Sequence, residues 1–201
     1  MTHEVYTFQT IDSNYEADFR DRGSKFLAYC YPIRHKDEVK QQVQALKKAH
    51  PKAVHHCYAF RLGVAGDDYR ANDDGEPSGS AGRPILGQID SAGLTNVLVV
   101  VVRYFGGTLL GVPGLINAYK TVTAEVLAKA TVIEKNIESF AVLEFSYDLL
   151  NEVMTVLKQH NVSIHKQEMQ LFCRFEIGIP LAEQEICLPQ LRNIFGVDIN
   201  M

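Results

Sequence analysis

Three groups of residues in this chain have types and spacings suited to chemistry. They are the carboxylates Asp67, Asp68, Asp73, Asp74 and Glu76, the run Arg103-Tyr104-Phe105-Gly106-Gly107, and His55-His56-Cys57. Acids at that density first suggest a calcium loop. An EF-hand built around Asp74-Gly75 would begin at Arg70 and need an acid at Ala81, and it fails at both ends. Magnesium with a phosphate-bearing substrate needs only one or two carboxylates. That reading stands beside the plainer one, in which Asp and Asn close turns by bonding nearby backbone amides.

The segment from Gly106 to Gly114 has the glycine spacing of a phosphate loop at Gly106 and Gly111. Val112 and Pro113, however, stand where Lys and Ser or Thr are required, so it is not one. It does lead into a helix start, whose free N–H groups and dipole favour anions. Arg103 either supplies charge to such an anion or pairs with a structural carboxylate, because an arginine ending a buried strand needs one or the other. This predicts contact between the loop 73–76 and the turn 103–107. His55 and Cys57 share one strand face and His56 takes the other. Zinc therefore lacks a second ligand pair, and a Cys57–His55 nucleophile pair lacks an orienting third group. His50 and His160 end helical patterns, where an imidazolium complements the helix dipole.

The elements that must position these groups alternate. Residues 24–33 read as a strand, 36–49 as a helix with Val39, Val43 and Leu46 on one stripe, and 52–62 as an alternating strand. A helix at 84–91 precedes the continuous apolar run 97–102, typical of a strand buried on both faces. Pro113 lies in the first turn of a long helix to about residue 130. Strands at 140–145, 162–167, 171–179 and 197–199, with helices at 148–160 and 181–195, follow the β-α-β-β-α-β order of ferredoxin-like domains. Pro189 is expected to kink or divide the second of these helices. The pattern changes near residues 131–139, predicting an α+β protein with domains 1–135 and 136–201.

At 201 residues, 46% hydrophobic and 22% charged, the composition is that of a soluble globular protein with one large core or two small ones. No apolar run approaches the ~18 residues of a membrane helix, and the first residues lack the pattern of a secretory signal. The four widely spaced cysteines fit reduced thiols, so a cytoplasmic location without a membrane partner is expected. Residues 1–135 carry 16 Lys and Arg against 15 Asp and Glu, and residues 136–201 carry 4 against 9. A nucleic-acid binder usually shows a basic excess somewhere, and here it is at most local to the first half.

Ser24-Lys25-Phe26, the run from His55 to Arg61, residues 73–86, and residues 99–107 followed by Gly111, Gly114, Leu115, Ala118 and Tyr119 come in an order that resembles the YigZ/IMPACT family. The resemblance implies an N-terminal domain with the fold of the second domain of the small-subunit ribosomal protein five. That fold is shared with a domain of translocating elongation factors and with small-molecule kinases. It further implies a C-terminal ferredoxin-like domain similar to one in elongation factor G. Eukaryotic members are linked to translational control under amino-acid starvation. The family commonly shows a lysine where this chain has Leu109, Thr-Gly at Val112-Pro113, and an arginine at Asn117. Two positive charges and a flexible glycine are thus missing around the anion site, and each lost phosphate contact weakens nucleic-acid binding.

On this reading the protein is a cytoplasmic, non-enzymatic binding module linked to regulation of translation. Its Gly-rich face, made by Arg103, Tyr104, Phe105, Gly106, Gly107, Gly111, Gly114, Ser78 and Ser80, would meet RNA, a ribosomal component or a protein partner. Asp73, Asp74, Glu76, His55 and Arg61 would support that face, with Tyr104 and Phe105 as aromatic anchors for a protein. No catalytic residue, metal or cofactor is expected. The rival reading is an enzyme acting on a phosphorylated small molecule or nucleotide at the same face, which rests on fold analogy with kinases.

Overall fold

The computed structural model describes residues 5–201. It divides into two compact units, Phe8–Lys135 and Asn136–Met201, with residues 5–7 belonging to the second. The larger unit therefore begins later than the expected domain 1–135. The backbone shows why: the Ile137 N–H donates to the Tyr6 carbonyl at 2.8 Å, tying the start of the chain to the segment after residue 135.

The larger unit runs β1 (Thr7–Ile11), β2 (Tyr15–Asp21), β3 (Ser24–Pro32), α1 (Lys36–Ala49), β4 (His55–Leu62), β5 (Asp68–Asn72), α2 (Gly82–Ser91), β6 (Val97–Tyr104), α3 (Gly111–Lys129) and β7 (Val132–Asn136). Five strands form one sheet in the order β2-β3-β6-β4-β5, with antiparallel pairs throughout, while β1 pairs with β7. The apolar run of β6 explains the layering. Val97, Val99 and Val101 point into a core with Ile85 and Ile89 of α2 and Leu115, Tyr119 and Val122 of α3. Leu98, Val100 and Val102 point the other way, into a core with Val39 and Leu46 of α1. A strand covered by helices on both sides has no solvent face to mark with polar residues, which is why the run is continuous.

His50 does more than close α1. Its ring sits between two tyrosines, with Nε2 2.9 Å from Tyr29 Oη and Nδ1 2.9 Å from Tyr104 Oη, so it is not a simple dipole cap.

The smaller unit runs β8 (Glu138–Ser146), α4 (Leu150–Gln159), β9 (Ser163–Met169), β10 (Phe172–Pro180), α5 (Gln184–Asn193) and β11 (Val197–Asn200). Each helix is entered through one 3-10 turn, Tyr147–Leu149 or Leu181–Glu183. The antiparallel sheet order β11-β8-β10-β9 is the ferredoxin-like arrangement. Val153 and Leu157 of α4 and Cys187 and Leu191 of α5 pack on Leu143, Phe145, Phe175 and Ile177. Among the described residues, the opposite sheet face carries no helix of this unit. Of the two expected effects of Pro189, division does not occur: α5 continues through it. Pro189 lies on the exposed side, where the carbonyl it leaves without a helical donor can turn to solvent.

His160 closes α4 at its C-terminus as expected, and its side chain makes specific bonds besides. Its buried ring lies between two acceptors, Glu183 Oε2 at 2.8 Å from Nδ1 and Gln190 Oε1 at 3.1 Å from Nε2. Hydrogen bonding to Glu183 is the main cause that raises its pKa. Because the folded value lies above the unfolded one, the protonated ring stabilises the fold fully below about pH 6.5, and that contribution disappears as pH rises through the folded value. His160→Ala should therefore cost most stability in mildly acidic buffer and progressively less towards alkaline pH, read from urea midpoints at a series of pH values. A cost that grew with pH would contradict the paired imidazolium.

Candidate functional site

The register of the sheet sets the site. His55 on β4 pairs directly with Arg103 on β6, and Phe26 on β3 pairs with Arg103 from the other side. The loop after β5 folds back over this point. Arg103 donates from Nη1 to Glu76 Oε1 at 2.7 Å, with both side chains almost wholly buried. Tyr119 Oη of α3 donates to the same oxygen at 2.8 Å, and His55 Nε2 lies 3.8 Å from Glu76 Oε2. The guanidinium carbon lies 5.6 Å from the Phe26 ring centre and 5.7 Å from that of Phe105. The loop 73–76 and the turn 103–107 are thus joined by a buried ion pair, and the carboxylate that Arg103 needs is Glu76.

The neighbouring acids hold the loop itself. Asp73 accepts from the N–H groups of Gly79, Ala81 and Gly82 at 2.8, 3.0 and 2.8 Å, which closes the start of α2 from a distance. Burial alone would raise the Asp73 pKa, but these three bonds and nearby Arg83 outweigh it and hold the carboxyl below its usual range. Asn72 Oδ1 accepts from the Asp74 N–H at 2.8 Å, as in an Asx turn. Asp74 accepts from the His56 N–H at 2.7 Å and from Lys47 Nζ at 3.0 Å, and its carbonyl lies 2.8 Å from His55 Nδ1. Asp68 pairs with Lys36 at 2.9 Å.

The thiol of Cys57 lies 3.0 Å from the Asp73 carbonyl and 3.3 Å from Tyr119 Oη. Burial pushes its pKa far up, as it does that of Tyr119, so Cys57 is a thiol and a weak donor rather than a nucleophile. His55 faces the loop and does not bond the thiol. Among the described residues, no three His, Cys, Asp or Glu side chains are grouped to hold a metal ion.

The remaining members of the expected face separate. Tyr104 is turned to the α1 side of the sheet, where its hydroxyl meets His50, because adjacent strand residues point to opposite faces. Arg61 lies at the other end of β4, opposite Val97, about 20 Å from the Arg103 pair at ~3.4 Å per residue. There it bonds Asp90 and the Gly66 carbonyl, so it does not support the site. Ser80 is buried and donates to the Pro77 carbonyl at 2.6 Å, whereas Ser78 is exposed on the loop.

What reaches the surface above the ion pair is Phe105, Gly106, Gly107 and the first two turns of α3, with Gly111 exposed and Gly114 half-buried against Arg22. Leu109 is 82% exposed and Phe105 47%, with Val112 and Ile116 beside them in sequence on the same helix start. Gly106 lies against the turn at Gly23, and its N–H is 3.2 Å from Ser24 Oγ. Sequence reasoning gave Tyr119 no role in the site. The signal was its place on the buried stripe Leu115, Ala118, Tyr119 and Val122, since a tyrosine buried there requires a polar partner.

Fold and site together define an α+β protein of two units. The larger is locked by a buried acid–arginine–tyrosine network beneath a glycine-rich turn, and the smaller is ferredoxin-like. Residues 22–127 match the family model of the Impact N-terminal domain. IMPACT family member YigZ of Escherichia coli (strain K12) is 34% identical over 164 residues, covering 81% of this chain and 80% of that protein. The chain belongs to the IMPACT family. Protein IMPACT of Rattus norvegicus is 35% identical over 100 residues, which cover 47% of this chain and 31% of that longer protein. A solved structure of a hypothetical protein shares 26% identity, with a TM-score of 0.76 over 98% of this chain and 97% of its own. No helix among the described residues is long and apolar enough to cross a membrane.

Proposed function

We propose that this protein is a binding module in the regulation of translation, and that it meets a ribosome-associated protein surface through Phe105, Gly106, Gly107 and the start of α3. The family resemblance, whose eukaryotic members are linked to translational control, supplies the setting. One observation carries the choice of face: beneath it Arg103 and Tyr119 both bond Glu76, with Arg103 Nε buried and left without a partner, while Phe105, Leu109, Val112 and Ile116 are left in water. Apolar side chains around a glycine pair suit close contact with another protein. Arg103, neutralised by Glu76, is poorly placed to hold a phosphate, which argues against RNA as the principal partner.

The same internal bonding weighs against the enzymatic reading. Asp73 and Asp74 are held by backbone amides and Lys47, Glu76 by Arg103 and Tyr119, and the Cys57 thiol is buried.

The test is co-sedimentation of the tagged full-length protein with purified ribosomal particles, comparing wild type with Leu109→Asp and Val112→Asp. Both positions are exposed, so the fold should survive. A contact of hot-spot strength, about 2 kcal/mol, predicts roughly 30-fold weaker association for each variant. Association unchanged in both variants would refute this face. Association abolished by ribonuclease and falling steeply with salt would assign it to RNA instead.

A further inference from the structure

The larger unit's glycine face is not the only exposed apolar surface. In the smaller unit, strand register gathers large apolar side chains at one end of the sheet. Phe172 pairs with Ser146, and the Tyr147 N–H donates to the Leu171 carbonyl at 3.2 Å, which sets Tyr147, Leu171 and Phe172 together. Val197 pairs with Phe145, bringing Phe195 to the same end. Leu171 is 80% exposed, Phe172 71% and Phe195 98%. A cavity of about 640 Å³ opens beside them, with Glu144, Phe172, Arg174, Gly196 and Asp198 in its lining.

The charges at this cavity are unbalanced. Asp198 on β11 lies directly opposite Glu144 on β8, and like charges in that relation repel. Arg174 approaches Glu144, Nε to Oε1 at 3.4 Å, but Asp198 has no ion-pair partner among the described residues. Residues 136–201 as a whole carry 9 acidic against 4 basic side chains. A cation seated between Asp198 and Glu144 would relieve the repulsion, and an adjacent apolar group would cover Phe172.

We propose that this end of the smaller unit is a docking surface for a short basic and apolar segment of a partner protein. A Lys or Arg of the segment meets the Asp198–Glu144 pair, and a large apolar side chain next to it packs on Phe172 between Leu171 and Phe195. Charge complementarity selects this occupant. A nucleic acid would bring phosphates onto carboxylates, and a second copy in a symmetric contact would bring the unpaired Asp198 of each copy towards the other. The proposal is independent of the glycine face, since it concerns other residues in the other unit.

The test is selection of random ten-residue peptides, displayed on phage, against the full-length protein. The expected consensus places Lys or Arg within two positions of Leu, Ile, Met or Phe, and a synthetic consensus peptide should bind less tightly as salt is added. Asp198→Lys should weaken that peptide at least about tenfold through like-charge repulsion, and Phe172→Asp about 30-fold. Both positions are exposed, and unchanged thermal unfolding of each variant would confirm an intact fold. No consensus, an acidic or uncharged consensus, or binding indifferent to both substitutions would overturn the proposal. So would a dimer in sedimentation equilibrium that Phe195→Asp dissociates, because the occupant would then be a second copy.

Discussion

Replacing Glu76 with alanine is expected to destabilise the larger unit by about 3–5 kcal/mol, the cost of leaving a buried charge uncompensated. The Arg103 side chain is only 7% exposed and Glu76 3%, so water cannot substitute for the missing carboxylate. The substitution also leaves the Tyr119 hydroxyl, buried in the α3 core, without its acceptor. A typical domain has 5–15 kcal/mol in total, so much of the margin would be lost. Urea unfolding of the full-length chain, followed by a probe in the larger unit, measures this. Replacing both partners, Glu76→Leu with Arg103→Met, should recover most of the loss, because apolar groups of similar volume need no counter-charge. A loss below about 1 kcal/mol for Glu76→Ala would mean that the pair behaves as if it were at the surface.

The second large effect is steric. A Cβ on Gly106 would lie 1.9 Å from the Gly23 carbonyl carbon and 2.2 Å from both the Gly23 oxygen and the Ser24 nitrogen. These are backbone atoms of the adjoining β2–β3 turn, so relief requires two chain segments to separate rather than one side chain to rotate. Gly106→Ala should cost about 3 kcal/mol or more, at or beyond the upper end for overpacking. Gly87, inside α2, supplies the contrast. An added Cβ there meets nothing within 4 Å, so Gly87→Ala should stabilise by about 0.5–1 kcal/mol. Thermal unfolding of the two variants should move in opposite directions, and a mild Gly106→Ala would show that the 23–24 turn yields easily.

The strands and helices that bury large faces were the legible ones. The unbroken apolar run of β6 and the stripe of α1 announced themselves, because burial on a fixed period leaves its mark in residue order. β2 and β5 were missed for the opposite reason. They are the edge strands of their sheet, and Tyr15–Asp21 and Asp68–Asn72 are rich in charge and bury little. At the site, the demand of a buried arginine for an acid correctly joined Arg103 to the 73–76 loop. Grouping Tyr104 with Arg103 ignored the period of two that sends neighbours to opposite faces, and including Arg61 ignored the length of β4. Asp73 bonding amides six to nine residues ahead could not be read from local spacing, since it depends on how the whole loop closes.

The pairing of β1 with β7 has a consequence for biosynthesis. The strand Thr7–Ile11 finds its partner in Val132–Asn136, made more than a hundred residues later, and the Asp12 N–H donates to the Thr131 carbonyl at 3.2 Å. At about 5–20 residues per second, that partner is translated roughly 6–25 s after the first strand. Over that interval β3, β4 and β6 can assemble with α1 and α2, while the earlier segment remains an unpaired edge. Completion of this domain is thus timed by the synthesis of its last strand, and a nascent chain arrested before residue 132 should hold a sheet whose earliest residues are still open to protease.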